Sequence, residues 1–271
     1  MKLVLMGTND WVVPVFDAVA SQHEIIAVFT RAPKPAGRKM ILKKSPVHEW
    51  ADSLGLPVYT STKDYNFKPD FVVVASYGVI LRDNVLNSAP VINIHPSLLP
   101  KYRGPSPIQT ALINGDTETA ICLMKVIAEV DAGDIFMVRK IEIGENDTND
   151  TLEHKVSDIA SEMLIEYLAN PQKYPGQPQT GTPTFCRKFT NEDTVIDWNK
   201  SPAEIHNLVR SIGGRTKITN NDVKILKTKI TPDGKLEILR VHPAGKKPMS
   251  WADFLNGHLW IKALGFHNVA V

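Results

Sequence analysis

Asn93 and His95, which end the apolar run at 91–94, are the residues whose types and spacing point most directly to chemistry. Side chains two residues apart on a β-strand lie on the same side, so an amide donor would stand beside a titratable imidazole. An amide can stabilise the oxyanion of a tetrahedral intermediate, and an imidazole can carry its proton. A lone histidine is more often structural, and the spacing by itself leaves both interpretations open.

Asp131 is the second candidate, in the tight acidic turn 130–134, which reads VDAGD. A carboxylate close to the imidazole would orient the ring and favour its charged form. A plain turn with two solvated aspartates explains the same residues. Sequence spacing does not show that Asp131 meets His95.

Several other kinds of site are not indicated. The opening turn 7–10, GTND, follows a strand and precedes a helix, but the dinucleotide-binding fingerprint G-x-G-x-x-G needs further glycines. The remaining histidines have no metal-ligand spacing, and Cys122 and Cys186 form neither a zinc pattern nor a disulfide framework. P-loop and G-x-S-x-G motifs are missing from the sequence. We therefore expect no metal and no nicotinamide or flavin cofactor.

The elements that position these residues form an alternating pattern in the first half of the chain. Apolar runs at 3–6, 25–29, 71–75 and 91–94 predict buried strands, and the segments 12–20, 48–54 and 108–113 predict helices. Asn9 or Asp10 is placed to cap the first helix. Such alternation predicts an α/β fold with a doubly wound, Rossmann-like parallel sheet. Asn93 and His95 then lie at the carboxyl end of a central strand, where such sheets bind ligands.

The second half of the chain has a different pattern. The segments 122–127 and 134–143 predict a hairpin-like pair, and 152–168 predicts a longer helix. Four prolines between 171 and 184 predict an extended linker. A small β-rich module with helices near 203–210 and 251–255 follows it. We therefore predict two domains, covering 1–184 and 185–271.

The composition is that of an ordinary globular protein. The 271 residues are 43% hydrophobic and 22% charged, and the net charge of +2 does not by itself indicate nucleic acid. The opening apolar run is too short for a signal sequence or a membrane span. Together with the isolated cysteines, this predicts a cytoplasmic protein without a membrane partner.

With these motifs in place, the chain resembles the folate-dependent formyltransferases. The family's Asn-x-His pair, Ser-Leu-Leu-Pro loop and downstream Asp turn correspond to INIHPSLLPKYRG at 92–104 and EVDAGDI at 129–135. Further segments occur in the family's order, among them KLVLMGTND, RAPKPAGR, SYGVIL and GKKPMSWADFLNG. The resemblance implies a Rossmann-like formyltransferase domain followed by a small OB-like β-barrel. Here the barrel is expected to be shortened, because the family's Pro-Trp-Pro-Gly turn is missing.

The resemblance also implies roles for individual residues. The formyl donor would be 10-formyltetrahydrofolate, a cosubstrate. Asn93 would bind the developing oxyanion, His95 would shuttle protons, and Asp131 would support the charged imidazole. The loops that line the folate pocket in relatives correspond to Ser97, Leu98, Leu99, Pro100, Tyr77, Gly78, Val79, Ile80, Leu81, Glu129, Val130 and Gly133.

The acceptor amine is the remaining question, because relatives with this core formylate charged tRNA, amino sugars on nucleotides or glycinamide ribonucleotide, and others hydrolyse the folate. The segment 31–44 contains six cations and no acidic residue, which favours a phosphate-rich partner. These residues, called the basic arm below, are Arg31, Lys34, Arg38, Lys39, Lys43 and Lys44. The PAGR core of the basic arm resembles the family loop that enters the tRNA acceptor arm.

We therefore expect charged initiator methionyl-tRNA as the partner, with sugar-nucleotide N-formylation as the main alternative. An inactive RNA-binding module is a further possibility, which the intact Asn93, His95 and Asp131 set argues against.

Overall fold

The computed structural model describes residues 1–37, 40–218 and 221–258. These divide into two compact units. The first comprises Met1–Pro107, Thr119–Ile141 and Glu153–Cys186, and the second combines Ile108–Glu118 and Glu142–Leu152 with the chain from Arg187 onward. The first unit therefore ends close to the predicted boundary at residue 184, but two earlier segments group with the C-terminal region.

The secondary structure consists of short strands and mostly short helices. The strands are β1 (Lys2–Gly7), β2 (Glu24–Phe29), β3 (Lys34–Ala36), β4 (Ile41–Lys43), β5 (Val58–Tyr59), β6 (Phe71–Ala75), β7 (Val91–His95), β8 (Glu118–Lys125), β9 (Ile135–Glu142), β10 (Gly214–Ile218), β11 (Asn221–Ile230), β12 (Leu236–Pro243) and β13 (Met249–Ser250). The helices are α1 (Val12–Ala20), α2 (Pro46–Ser53), α3 (Asp83–Leu86), α4 (Pro107–Ile113), α5 (Asn149–Ala169), α6 (Pro202–Ile212) and α7 (Trp251–Asn256). Two single 3-10 turns occur at Pro171–Lys173 and Glu192–Thr194.

A seven-stranded sheet in the order β5-β2-β1-β6-β7-β8-β9 forms the centre of the first unit. The pairs from β5 to β7 are parallel, as the alternating pattern predicts. β8 pairs with β7 antiparallel, so the sheet is mixed rather than wholly parallel. β7 is buried at four of its five positions, as expected for a strand covered on both faces.

The predicted helices are present with small shifts at their ends, but the expected cap of α1 is wrong. Neither Asn9 nor Asp10 caps α1 through its side chain. Their backbone carbonyls instead accept hydrogen bonds from the N–H groups of Val12 and Val13, so a turn satisfies these first donors. α2 begins earlier than predicted because Ser45 caps it and Pro46 occupies its first position.

The basic arm contains a β-hairpin that the sequence pattern did not predict. β3 and β4 pair antiparallel, with Lys34 opposite Lys43. Met40, Ile41 and Leu42 follow one another near the turn, and each is about two-thirds exposed.

The second unit is built on a four-stranded antiparallel sheet in the order β10-β11-β12-β13. A core that includes Ile225, Ile238 and Trp251 packs with Val209 of α6. α6 begins with a capping box in which Ser201 and Glu204 satisfy each other's backbone N–H groups. Within the described range, consecutive strands are neighbours and the sheet is open, which agrees with a shortened barrel.

Candidate active site

Asp131 joins the two residues of the Asn-x-His pair. Its Oδ1 accepts a hydrogen bond from Asn93 Nδ2 at 3.1 Å, and its Oδ2 lies 3.5 Å from His95 Nδ1. Asn93 and His95 therefore lie on the same side of β7, as strand alternation predicts. The structure thus brings together all three of the predicted catalytic residues.

His95 is 3% exposed, and its two ring nitrogens face different partners. Nε2 lies 2.9 Å from the Tyr102 carbonyl oxygen. Because a carbonyl only accepts, Nε2 carries a proton, and the lone pair of the neutral ring is on Nδ1, beside Asp131. Burial lowers the pKa of His95, while the Asp131 carboxylate and the Tyr102 carbonyl act to raise it. The neutral ring can therefore take up a proton on Nδ1, next to a carboxylate that stabilises the resulting charge.

Two backbone groups that sequence reasoning missed complete this arrangement. The Tyr102 carbonyl fixes His95, and the Gly104 N–H donates to Asp131 Oδ2 at 2.8 Å. Gly104 has a φ of +119°, and a Cβ there would lie 2.4 Å from the Cys186 carbonyl oxygen, so a glycine is required. The KYRG end of the family motif indicated this segment. The contacts, however, are made by backbone groups, and every residue has a carbonyl and almost every residue has an N–H. Side-chain type therefore gave no signal for these contacts.

Arg103 and Gln179 were also missed. Arg103 is 8% exposed, and its guanidinium donates to Gln179 Oε1 and to Glu129 Oε1. Gln179 lies within the segment predicted as a linker, and this segment belongs to the first unit and makes specific hydrogen bonds within it. Its only sequence signal was a polar side chain among prolines, which is too weak to indicate a site.

The residues predicted to line a folate pocket fall into two groups. Ser97, Leu99 and Tyr77 are buried. The Ser97 hydroxyl donates to the Lys101 carbonyl at 2.6 Å. Val79 and Val130 are about half exposed and Ile80 is 77% exposed, so these apolar side chains are available to a ligand.

The other residues predicted to line the folate pocket also include both buried and exposed members. Leu81 packs with Tyr77 against a core cluster, and Glu129 pairs with Arg103. Gly133 is buried against the Lys125 carbonyl. Leu98 and Pro100 are half-buried, and Gly78 is exposed in a left-handed turn.

The structure describes four cations of the basic arm. Arg31, Lys34 and Lys43 are exposed, while Lys44 forms an ion pair with Asp52. Arg38 and Lys39 lie outside the described residues.

No group of three or more His, Cys, Asp or Glu in the described chain is placed to hold a metal ion. Over the same residues, no helix is both long and apolar enough to cross a membrane.

Comparison with known proteins assigns this arrangement to a family. Residues 1–168 match the sequence profile of the formyl transferase family, and residues 188–235 match the profile of the formyl transferase C-terminal domain. The methionyl-tRNA formyltransferase of Fusobacterium nucleatum subsp. nucleatum is 33% identical over 300 residues, covering 95% of this chain and 97% of that protein.

Two solved structures share the fold. A sugar 3N-formyl transferase, determined with dTDP and 5-N-formyl-THF, has a TM-score of 0.70 at 20% identity, covering 91% of this chain and 99% of that chain. The methionyl-tRNA formyltransferase of Clostridium thermocellum has a TM-score of 0.64 at 16% identity, covering 92% and 99%. The sequence matches are the stronger, and on them the chain belongs to the formyl transferase family, among the relatives of the methionyl-tRNA formyltransferases.

Proposed function

We propose that this protein transfers the formyl group of 10-formyltetrahydrofolate to the amino group of initiator methionyl-tRNA in the cytoplasm. The observation that carries the proposal is the contact of one carboxylate, Asp131, with both Asn93 and His95. The bound folate supplies the formyl group. The residues of the chain supply the charge stabilisation and the proton transfer.

Asn93 is suited to bind the negative charge that develops on the formyl oxygen. Its amide has two N–H bonds, and one of them is directed to Asp131. The carboxylate fixes the amide plane and leaves the second N–H for the oxyanion. A preorganised donor of this kind contributes a factor of roughly a hundred to a thousand in turnover.

His95 is suited to move the proton of the attacking amine. With Nε2–H committed to Tyr102, the base is Nδ1. It would take the proton that the amine loses when the new C–N bond forms. It would return that proton to the folate nitrogen when the old C–N bond breaks. The lowered pKa keeps the ring in its neutral, proton-accepting form at neutral pH.

The loop residues beside this chemistry fit an aromatic, partly apolar donor. Val79, Ile80 and Val130 expose apolar side chains, and burying them against a bound folate would be favourable. Tyr77 belongs to a buried core cluster, and Leu81 and Val126 pack against that cluster. The segment 77–81 and the start of the loop 126–134, which contains Asp131, therefore pack on the same apolar cluster.

Cations in both units support a tRNA acceptor. In the basic arm, Lys34 lies directly opposite Lys43. In the second unit, Lys224 of β11 lies opposite Arg215 on β10, and Lys227 of β11 lies opposite Arg240 on β12. Like charges directly opposite on a sheet are unfavourable in the isolated protein. A phosphate backbone would relieve this repulsion on binding.

A sugar-nucleotide N-formyltransferase is the second candidate. A sugar 3N-formyl transferase shares the fold with a TM-score of 0.70, so fold similarity alone does not distinguish the two acceptors. Such an enzyme would use the same catalytic residues but would not need an extended basic surface.

The test is transfer of a labelled formyl group from 10-formyltetrahydrofolate to charged initiator methionyl-tRNA, with a nucleotide-linked amino sugar in a parallel reaction. We expect label on the tRNA. Label on the sugar alone would reject tRNA as the acceptor and keep the catalytic assignment.

Charge reversal tests the basic arm in the same assay. Lys34→Glu combined with Lys43→Glu should raise KM for tRNA strongly, and Arg38→Glu with Lys39→Glu should act in the same direction. Lys63→Glu with Lys68→Glu makes the same charge change on exposed residues outside the arm and is the control. An equal effect in the control would mean that only net charge matters.

A further inference from the structure

The second half of the proline-rich segment and the two residues after it are hydrogen-bonded to the regions around two loops, 96–106 after β7 and 126–134 after β8, which carry the active site. We call residues 177–186 the strap. At one end, Gln177 exchanges two backbone hydrogen bonds with Ile135, at 2.8 and 2.9 Å. At the other end, Thr184 and Cys186 bond to the backbone of Arg103 at 2.9 and 2.8 Å. The strap therefore has a fixed register against both loops.

Gln179 lies in the strap between these two ends, and its side-chain amide has four partners. Oε1 accepts from Arg103 Nε at 3.1 Å and from Nη2 at 2.8 Å. Nε2 donates to the carbonyls of Asp131 at 2.8 Å and Gly133 at 2.9 Å. All the hydrogen-bonding capacity of the amide is used, and a flipped amide would face donors with donors and acceptors with acceptors.

The two sets of partners belong to the two loops that carry the active site. On one side, Arg103 lies between Tyr102, whose carbonyl fixes His95, and Gly104, whose N–H binds Asp131. On the other side, Gln179 binds the backbone carbonyl of Asp131, the residue whose side chain is the catalytic carboxylate. One glutamine side chain thus links the backbone that holds His95 to the backbone that holds Asp131.

Asp131 has a φ of +48°, a left-handed backbone conformation that costs free energy in residues with a Cβ, although aspartate adopts it more readily than most. Contacts that hold the Asp131 backbone therefore help to maintain this conformation. A further contact of this loop with Arg103 is the Arg103–Glu129 ion pair at 3.0 Å. Glu129 is largely exposed, so solvent weakens that pair. The Gln179 contacts are more sheltered, because Arg103 is buried.

We propose that Gln179 is a positioning residue that holds the Asp131 carboxylate against His95 through Arg103 and the Asp131 loop. The inference rests on the proposed function only for the assay of turnover. The proposed role requires no contact of Gln179 with the donor or the acceptor, and its effect should pass through Asp131.

Gln179→Met is the first variant, because it has nearly the same size and no charge but removes all four hydrogen bonds. We expect kcat to fall about tenfold to a hundredfold, as for a misplaced catalytic group. The effect should largely disappear in the Asp131→Asn background, since two changes that act through one contact are not additive. Gln177→Ala is the control, because that exposed residue on the same strap is held by its backbone.

The second readout does not depend on any acceptor. The NMR titration of the His95 ring, assigned with His95→Gln, should move to lower pH in Gln179→Met, in the direction of Asp131→Asn. An unchanged titration, or a loss of kcat that adds fully to that of Asp131→Asn, would overturn the proposal. If wild-type protein shows no formyl transfer, the proposed function fails, and the titration still decides the role of Gln179.

Should Gln179→Met not fold, Gln179→Glu tests the same point. It keeps an acceptor for Arg103 but replaces the two N–H donors to Asp131 and Gly133 by an oxygen. The kinetic cycle with Asp131→Asn then decides, with the same non-additive result expected and the additive result rejecting the proposal.

Discussion

Replacing Asp131 by Asn removes the charge of the central carboxylate while preserving its size. The carboxylate accepts from Asn93 and from the Gly104 N–H, and it faces His95 at 3.5 Å. An amide has one accepting oxygen and one donating nitrogen. Whichever way the new side chain turns, its NH₂ group faces either the Asn93 amide or the Gly104 N–H. One hydrogen bond is therefore lost along with the charge.

The size of the effect follows from the His95–Asp131 geometry. Opposite unit charges 3.5 Å apart attract by about 5 kcal/mol at an effective dielectric constant of about 20. A change of about 1.4 kcal/mol in the barrier is tenfold in rate. Since the imidazole is charged only while it holds the proton, the loss falls mainly on kcat, and we expect a reduction of roughly a thousandfold.

The assay is single-turnover formyl transfer measured across pH, with binding of the folate followed separately. Because burial lowers the pKa of His95 and the carboxylate raises it, removing the carboxylate leaves only the Tyr102 carbonyl to oppose the effect of burial, and the pKa falls further. The acid limb of the kcat/KM profile should therefore move to lower pH in Asp131→Asn. Asp134→Asn, the same change in the same turn, is the control. Near-normal turnover in folded Asp131→Asn, or an equal loss in Asp134→Asn, would contradict the role of the Asp131 carboxylate.

Three further predictions test other parts of the structure. Gly104→Ala should lower kcat severely, because its Cβ would meet the Cys186 carbonyl and displace the N–H that binds Asp131. Gly234→Ala is the control, because Gly234 also has a positive φ but an added Cβ there would meet no other atom. It should lower the free energy of unfolding, measured by thermal unfolding, by only about 1 kcal/mol. Lys43→Gln should reduce the salt dependence of tRNA affinity by about one phosphate contact without weakening folate binding, and an unchanged slope in filter binding would exclude that contact. Burial lowers the pKa of His206, so the unfolded chain takes up a proton more readily than the folded chain. Its contribution to stability should be complete above about pH 6.5 and should decline as pH falls below that value. His206→Gln should flatten this dependence in denaturant titrations.

The sequence predicted the elements whose patterns are local. The strands β1, β2, β6 and β7 are short runs of Val, Ile and Leu that are buried on both faces, and this composition distinguishes them from the helices. Asn93, His95 and Asp131 could be proposed because their side chains have the chemistry and belong to a specific motif. Their meeting in space could not be derived from spacing.

The features that sequence reasoning missed depend on long-range contacts or on backbone atoms. Arg103 and Gln179 are 76 residues apart in sequence, and neither side chain contains a group with evident catalytic chemistry. The direction of β8 and the pairing of β3 with β4 are set by the neighbouring strands, because strand propensity is the same for parallel and antiparallel partners. Backbone donors such as the Gly104 N–H have no residue type to mark them.

The catalytic residues do not select the acceptor, so the choice between tRNA and a sugar nucleotide must depend on surfaces. A nucleotide carries two or three phosphates in one place and could be held by one compact cluster of cations. This chain instead places like charges opposite one another in separate sheets, at Lys34 and Lys43 and again along Lys224 and Arg215. Each such pair costs a few tenths of a kcal/mol or more in the unbound protein. Phosphates along a polyanion would offset the repulsion within each of these sheets, which is why we favour tRNA as the acceptor.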